Sequence, residues 1–391
     1  MSDPLIGART WNRRRLLTTS ATGIGALVGA RLLAACGGDD DDSASGTSGA
    51  TGATTLGTVA GTAASGGTTA GTTPALAEVS VGMGWINNVE YGGSWVALEN
   101  GYYDAEGITA TYLQGGPNAP ASPVVIAAGD AQIGVAAGMM ALLDAINEGN
   151  DFVVFGTQYQ VSPGAVLSLA AKPVKTPEDL VGITFLGQEG VDVTIDAVLE
   201  IAGLPKDYNF VVAGFTPDPL IEGQGDAYSC FAVNQPITLE QQGLVEGTDF
   251  IVTPWADLGI PSYANLFFAQ RAYVEENRDA VVRFMRATIM GWEESSKDPA
   301  VAANLAVDKY GADLGLDIAQ QTRQNELQIP LMEGPLTEAS GLFRIDPELW
   351  DGAMADAYLA SGRESMPSAA EVVDLTILDE VFGDSTTLLG S

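Results

Sequence analysis

Residues 79–101 read VSVGMGWINNVEYGGSWVALENG, and they predict a strand, a loop and a helix in immediate succession. Val79, Val81 and Met83 alternate with small or polar residues, as in a half-buried strand. The second half of the stretch has helical spacing, and Gly101 stands where a helix commonly ends. Two tryptophans, two asparagines and a tyrosine lie between these patterns, although exposed aromatic surface is unfavourable in water. The rings therefore either fill a core or contact a flat ligand.

The alternation of strands and helices continues towards the C-terminus. Strands are predicted at 132–135, 152–155, 165–169, 210–212 and 227–233, and helices at 94–100, 123–128, 139–146 and 191–203. Strands separated by helices of this length favour parallel sheets in an α/β fold. The pattern becomes mostly helical from residue 272 to about 327, with further helices predicted near 347–359 and 368–375.

Composition excludes several classes of function. The chain has 391 residues, 46% of them hydrophobic, which is enough for roughly two domains. It carries 17 basic and 50 acidic residues, and the net charge of −33 repels nucleic acid and anionic lipid headgroups. There is no histidine and there are only two cysteines, so four-ligand zinc sites and a disulfide framework are excluded. We expect no metal, no cofactor and no nucleic-acid partner.

The N-terminal segment has the features of an export signal. Three arginines at 13–15 precede a mostly apolar stretch, which ends in Leu33-Ala34-Ala35-Cys36. This ending resembles the lipobox of bacterial lipoproteins, and the arginines resemble a loose twin-arginine signal. The resemblance implies a signal peptide at 1–35 and lipidation of Cys36. Residues 36–75, rich in Gly, Ser, Thr and Ala, are predicted to be a disordered linker. The location predicted is extracytoplasmic, with a lipid anchor in the cell membrane, either periplasmic or on the cell surface.

Five segments in register resemble one protein family. They are GYYDAEGI at 101–108, AGDAQIGV at 128–135, KTPEDLVG at 175–182, the helix ending in AGL at 192–204, and AYVEEN followed by AV at 272–281. In this order they are similar to segments of the periplasmic solute-binding proteins, many of them lipoproteins, that serve ABC importers. The group concerned binds thiamine pyrimidine precursor, riboflavin and alkanesulfonates.

The resemblance implies an α/β, type II periplasmic-binding-protein fold with two α/β lobes joined by two hinge strands. Lobe 1 is predicted to comprise residues 76–167 and 264–391, and lobe 2 residues 168–263. The ligand is expected in the cleft between the lobes, and hinge closure around it is a known mode of this architecture.

Loops that follow strands are the expected site, because ligands of open α/β sheets bind at the carboxyl ends of strands. These loops lie at 85–91, 136–139, 157–162, 187–190 and 234–235, and none contains Lys or Arg. An anion would normally need such a cation, although helix N-termini near Gly93 and Gly190 leave anions open. The Trp, Tyr, Asn and Gln residues of these loops favour a flat, neutral or weakly cationic heterocycle.

The candidate ligand-binding residues share these loops and can stack on a ring or read its polar edge. They are Trp85, Asn87, Tyr91, Gln158, Tyr159, Gln188, Glu189 and Asn234. Trp85 may equally belong to a core, Asn87 to a turn cap and Glu189 to a helix N-terminus. Pyrimidine-binding relatives tend to carry Asn-Glu-Pro where this chain has Asn234-Gln235-Pro236. That departure leaves riboflavin-like or other neutral ligands open.

The resulting prediction is a substrate-binding lipoprotein that delivers its ligand to an ABC permease with a cytoplasmic ATPase. The alternatives are a ligand-sensing receptor of the same fold coupled to a signalling partner, and a binder of sulfonates. We expect a monomer and no enzyme activity, because no Gly-x-Ser-x-Gly, Walker loop or metal-spaced cluster occurs. The count of acidic residues alone does not exclude a glycosidase, which needs only two carboxylates.

Overall fold

The computed structural model describes residues 76–390. The predicted signal peptide, the lipidation site at Cys36 and the linker up to residue 75 lie outside the described residues. The strands are β1 Ala77–Gly82, β2 Ile108–Leu113, β3 Ile133–Ala136, β4 Phe152–Tyr159, β5 Gly164–Leu169, β6 Thr184–Gly187, β7 Asn209–Val212, β8 Ala227–Phe231, β9 Phe250–Pro254 and β10 Ala264–Gln270.

Helices surround these strands and dominate the C-terminal part. They are α1 Gly92–Glu99, α2 Tyr102–Ala105, α3 Ser122–Ala128, α4 Met139–Asn147, α5 Asp192–Ile201, α6 Asp218–Ile221, α7 Gln235–Gln241, α8 Arg271–Glu276, α9 Arg278–Ser295, α10 Pro299–Leu305, α11 Ile318–Met332, α12 Pro335–Ser340, α13 Pro347–Leu349, α14 Ala355–Ala360, α15 Ala369–Val372 and α16 Thr376–Phe382. Short 3-10 helices occur at Val89–Tyr91 and Pro177–Leu180, and π-helical turns at Ala306–Tyr310 and Trp350–Met354.

The strands form two five-stranded sheets. The order in the first sheet is β2-β1-β3-β10-β4, and in the second it is β7-β6-β8-β5-β9. β1 runs parallel to β2 and β3, and β6 runs parallel to β7 and β8. β10 is antiparallel to β3 and β4, and β5 is antiparallel to β8 and β9. The sheets are therefore mixed, and the prediction of parallel sheets is wrong for these pairs.

The antiparallel strands are the ones that carry the chain between the sheets. β4 ends the first part of sheet 1, and β5 begins sheet 2 after only residues 160–163. The chain returns from β9 to β10 through residues 255–263. Because these links are too short for the helical crossover that parallel neighbours require, the strands beside them need not run parallel. The sheet change lies a few residues before the predicted boundary at residue 167, and the lobe boundaries themselves stay predictions.

The core has a part that belongs to both sheets. Phe268 of the first sheet and Phe185 of the second contribute to one buried cluster together with Trp350 of the C-terminal region. A separate cluster packs α1 and α9 on the first sheet and contains the buried rings of Trp95 and Trp292. The C-terminal helices therefore contact both sheets instead of covering only one.

Close packing of two helices fixes the start of α1. A Cβ added to Gly93 would lie 2.2 Å from the Trp292 ring, and one added to Gly291 would lie 2.0 Å from the Gly93 carbonyl oxygen. Only glycine allows α1 and α9 to approach this closely. The loop at 85–91 enters α1 directly, so this contact also positions the loop.

Among residues 76–390, none of the helices combines the length and the apolar character that a membrane crossing requires.

Candidate functional site

A cleft of about 540 Å³ lies between the two sheets, a size typical of small-molecule sites. Its walls come from the carboxyl ends of strands in both sheets: Trp85 after β1, Met139 and Met140 after β3, Gln188 after β6, and Phe231 at the end of β8. A second cavity of about 440 Å³ lies beside α9 and α11, away from every strand end. The cleft between the sheets is therefore the candidate site.

Four of the predicted ligand-binding residues line this cleft. Trp85 comes from the first sheet, and Gln188, Glu189 and Asn234 come from the second. Gln188 is held in place, because its Nε2 donates to the Tyr228 hydroxyl at 3.0 Å. Glu189 is exposed on the rim. The structure thus brings together candidates that are far apart in the sequence.

The other four candidates lie behind the wall of the cleft. Asn87 donates through Nδ2 to the Tyr310 carbonyl oxygen at 3.3 Å. Tyr91 is 1% exposed and packs edge-on against Trp95 in the core. The remaining two, Gln158 and Tyr159, are also fully buried.

Both of these residues of β4 bind protein groups. Gln158 Nε2 donates to the Glu90 carbonyl oxygen at 2.9 Å, and the Tyr159 hydroxyl donates to Gln328 Oε1 at 2.6 Å. Side chains near a strand end point alternately to the cleft and to the core, so membership of a strand-end loop does not place every residue on the wall. The buried candidates support the site from behind.

The loop at 85–91 is fixed by its own asparagine. Asn88 Oδ1 accepts the backbone N–H of Glu90 at 2.9 Å, which caps the short 3-10 helix. The Asn88 carbonyl oxygen accepts the indole N–H of Trp95 at 2.8 Å. One polar and one aromatic residue of this loop therefore hold its backbone instead of facing a ligand.

A row of buried amides on α11 fixes the same loop from the other side. Its members lie on one face of the helix: Gln320, Gln321, Gln324, Asn325 and Gln328. Gln321 Oε1 accepts the Val89 N–H at 2.7 Å, and Gln328 Nε2 donates to the Val89 carbonyl oxygen at 2.7 Å. Gln320 Nε2 donates to Asn234 Oδ1 at 2.8 Å. The amide row thus binds a loop of the first sheet and a cleft residue of the second.

Glu90 is a cleft residue that the sequence-based candidates omit. Its side chain lines the cleft although the residue is only 1% exposed. Oε1 of its carboxyl group accepts from Asn265 Nδ2 at 3.0 Å. Burial raises the pKa of Glu90 to about 7, although the hydrogen bond from Asn265 opposes that rise. The signal in the sequence was an acidic residue within the aromatic loop after β1.

Asn265 is placed to hold this carboxyl group by an unusual backbone conformation. It is fully buried in β10 and has a φ of 52°, in the left-handed region that asparagine tolerates better than most residues. Its Nδ2 also lies 3.4 Å from Gln158 Oε1, while its Oδ1 has no hydrogen-bond partner among the described residues. Backbone strain of this kind persists where the surrounding structure requires it, which is frequently a binding site.

The cleft contains acidic and aromatic groups but no side-chain cation. No Lys or Arg of the described residues lines it, whereas Glu90 and Glu189 do. The ring of Trp255 lines it as well, and is stacked on Phe185 with centroids 6.1 Å apart. Within residues 76–390, no group of three or more His, Cys, Asp or Glu residues could hold a metal ion. Such a site can hold a flat molecule and read its edge through amides and carboxyl groups.

Comparison with known proteins gives a family, two relatives and a fold. The model of the family described as NMT1/THI5 like matches residues 88–302, more than half of the chain. A formylaminopyrimidine-binding protein of Halalkalibacterium halodurans is 27% identical over 287 residues, covering 71% of this chain and 83% of the relative. The riboflavin-binding protein RibY of Chloroflexus aurantiacus is 28% identical over 291 residues, covering 71% and 79%.

Solved structures with the same architecture are more distant in sequence. The alkanesulfonate-binding protein SsuA of Xanthomonas axonopodis pv. citri, bound to MOPS, superposes with a TM-score of 0.57 at 17% identity, covering 77% of this chain and 99% of that one. The ligand-binding component of an ABC-type import system of Staphylococcus aureus, with zinc bound, gives 0.56 at 9% identity, covering 78% and 98%. The two-sheet architecture is therefore the periplasmic-binding-protein fold.

Proposed function

This chain belongs to the NMT1/THI5-like family, and on that premise we propose that it is an extracytoplasmic binding lipoprotein of an ABC importer. It holds a neutral or weakly cationic aromatic heterocycle in the cleft, closes about its hinge and delivers the ligand unchanged to a permease. The lipid anchor on Cys36 keeps it at the membrane.

The observation that carries the proposal is the composition of the cleft. Trp85 and Trp255 supply aromatic surface, and Gln188 and Asn234 supply amides, while no Lys or Arg of the described residues is present. A buried anion normally needs a cation or several N–H donors in place of lost water. A planar heterocycle needs ring surfaces and a few polar groups, which this cleft offers.

The relatives support the same class of ligand. By their names, one binds formylaminopyrimidine and the other riboflavin, both nitrogen heterocycles. We carry that class over to this chain without choosing between the two here.

A sulfonate is the second candidate, because the first turn of α5 lines the cleft. Gly190, Val191 and Thr194 of this region contribute to the wall, and a helix N-terminus favours negative charge. Glu189 and Asp192 already place carboxylates at this end of α5, and they repel a sulfonate. The heterocycle is therefore the better-supported ligand.

Coupling to a signalling partner is the alternative role for the same cleft. The importer reading predicts that genes for a permease and an ATPase neighbour this one, whereas the sensor reading predicts a membrane receptor gene. The ligand proposal holds in either case.

A thermal-shift measurement tests the ligand. Formylaminopyrimidine or riboflavin at about 100 times its Kd should stabilise the purified protein by about 2.7 kcal/mol, and MOPS should give no shift. Trp85→Ala should remove most of that shift and leave the unliganded melting temperature within about 3 °C, because Trp85 is only half-buried.

Phe215→Ala is the matched control, since Phe215 is an exposed aromatic residue that does not line the cleft. It should bind as the wild type does. A shift with MOPS and none with either heterocycle would contradict the proposal. Collapse of the unliganded Trp85→Ala protein would show instead that this ring belongs to the core.

A further inference from the structure

We propose that Glu90 is the specificity-determining residue of the cleft, and that its carboxyl group binds the edge of a heterocycle where a basic ring nitrogen stands beside an amino group. The inference rests on the proposed function and narrows its ligand class to aminopyrimidine-like bases. It concerns a residue that acts on the ligand directly.

The carboxyl group is held rigidly at the wall of the cleft. The backbone N–H of Glu90 binds Asn88 Oδ1 at 2.9 Å, and its carbonyl oxygen binds Gln158 Nε2 at 2.9 Å. The side chain is oriented by Asn265 Nδ2 on Oε1 at 3.0 Å. Backbone and side chain are thus fixed by three different residues. Such an arrangement reduces the entropy lost when a ligand binds.

The carboxyl group lacks a partner that matches its charge. Among the described residues, Asn265 gives its only side-chain hydrogen bond, and Oε2 has none. A buried carboxyl group without a cation is unfavourable when ionised, so it either holds a proton or needs a donor from elsewhere. Since Glu90 lines the cleft, a bound ligand is the available source of that donor.

The titratable groups around Glu90 do not compete for its proton. Burial raises the pKa values of Tyr91 and Tyr159, and the Glu90 carboxyl group raises them further. Burial likewise raises the pKa of the Cys230 thiol, which also lines the cleft. These three groups stay neutral near pH 7, and Glu189 lies on the exposed rim. A proton on Glu90 can therefore be shared with a ligand.

An amino group beside a ring nitrogen complements this carboxyl group. The amino N–H donates to one carboxyl oxygen, and the ring nitrogen shares one proton with the other oxygen. The two parallel hydrogen bonds resemble a bidentate pair in their geometry. No covalent bond changes, and the complex contains one proton between the two partners. The edge of riboflavin carries an imide N–H between two carbonyl oxygens, and it offers only one of these two interactions.

Proton sharing makes a specific prediction for pH. Because burial raises the pKa of Glu90 to about 7, both Glu90 and a weakly basic ligand lose their protons above that value. Binding then requires uptake of one proton, so Kd should rise about tenfold for each pH unit above about 8. A ligand that shares no proton should show no such slope.

Isothermal titration calorimetry of the purified protein from pH 6 to pH 9 tests the inference. The probes are formylaminopyrimidine and its analogue with the ring amino group replaced by a carbonyl. The wild type should show the tenfold rise in Kd for the first probe between pH 8 and pH 9, and should bind the analogue at least about tenfold more weakly at pH 7. Glu90→Gln should show neither the slope nor the preference.

Glu275→Gln is the matched control, because Glu275 is exposed on α8 and does not line the cleft. It should retain both the slope and the preference. A flat profile for the wild type, or an unchanged slope in Glu90→Gln, would overturn the inference without requiring any other variant to fold. Binding of riboflavin alone, with a Kd independent of pH, would overturn it too but leave the proposed function intact. Absence of binding by every heterocycle would overturn both.

Discussion

Glu90 shows how one side chain can oppose folding and serve a ligand. A carboxyl group with a raised pKa is protonated more readily in the folded protein than in the unfolded chain. Its favourable contribution is therefore complete below pH 4.5 and is lost as the pH rises through about 7. Functional sites commonly contain groups that destabilise the unliganded protein in this way.

We expect Glu90→Gln to stabilise the unliganded protein at pH 8 by up to about 3 kcal/mol, because the shift corresponds to about 1.4 kcal/mol for each pKa unit. The gain should shrink towards zero at pH 4.5, where the native carboxyl group is already neutral. Urea unfolding at the two pH values measures the difference. An equal effect at both values would mean that charge is not its cause, and Glu275→Gln should show no gain at either pH.

At this scale the sequence predicted the site in part. Trp85, Gln188, Glu189 and Asn234 were found because they follow strands, and the cleft forms where strands end. The same rule also selected Tyr91, which packs into the core. The direction of each side chain depends on hydrogen bonds to distant residues, and strand-end position does not reveal them.

The helix α11 has an unusual role because its buried face is polar. Its amide row takes both backbone groups of Val89 and reaches Asn234 across the cleft. Buried polar networks of this kind are stabilising only when their members are satisfied, and they fix one arrangement of the chain. The position of the loop at 85–91 thus depends on a helix from the other end of the sequence.

Replacing Gln321 by leucine should therefore destabilise the protein by about 1–3 kcal/mol, because it leaves the buried Val89 N–H without an acceptor. We also expect weaker ligand binding, since Glu90 follows Val89 directly. Arg323→Leu on the exposed face of α11 is the control, and its surface ion pair with Glu326 should contribute less than about 1 kcal/mol. Equal losses in the two variants, measured by urea unfolding, would refute the role of the amide row.

Elements with regular apolar spacing were predicted closely, and polar ones were not. The helix predicted at 191–203 is α5 Asp192–Ile201, followed by Gly203 with a φ of 67°. α11 was placed only within a broad helical region, because amides on its buried face remove the apolar period. The antiparallel strands were missed because strand direction depends on the path of the chain between sheets.

The whole molecule combines a strongly acidic surface with a cleft that has no side-chain cation. The net charge of −33 destabilises the compact state by self-repulsion, and salt screens that repulsion. The contact with an uncharged ligand inside the cleft is screened much less. Stability and ligand affinity should therefore respond differently to salt.

We expect the melting temperature to rise when NaCl is increased from about 0.02 M to about 0.5 M, a range over which the screening length falls several-fold. The Kd for riboflavin or formylaminopyrimidine at pH 7 should change less than about threefold over the same range. Differential scanning fluorimetry and calorimetric titration measure the two quantities. A Kd that falls or rises tenfold or more would indicate a ligand recognised by its net charge.

The most direct test of the account is a crystal structure of the protein with formylaminopyrimidine. We predict that the ring lies between the two sheets in contact with Trp85, with its amino group and adjacent ring nitrogen within about 3.2 Å of the Glu90 carboxyl oxygens. A ring bound outside this cleft, or a ligand held there by arginine or lysine side chains, would contradict it.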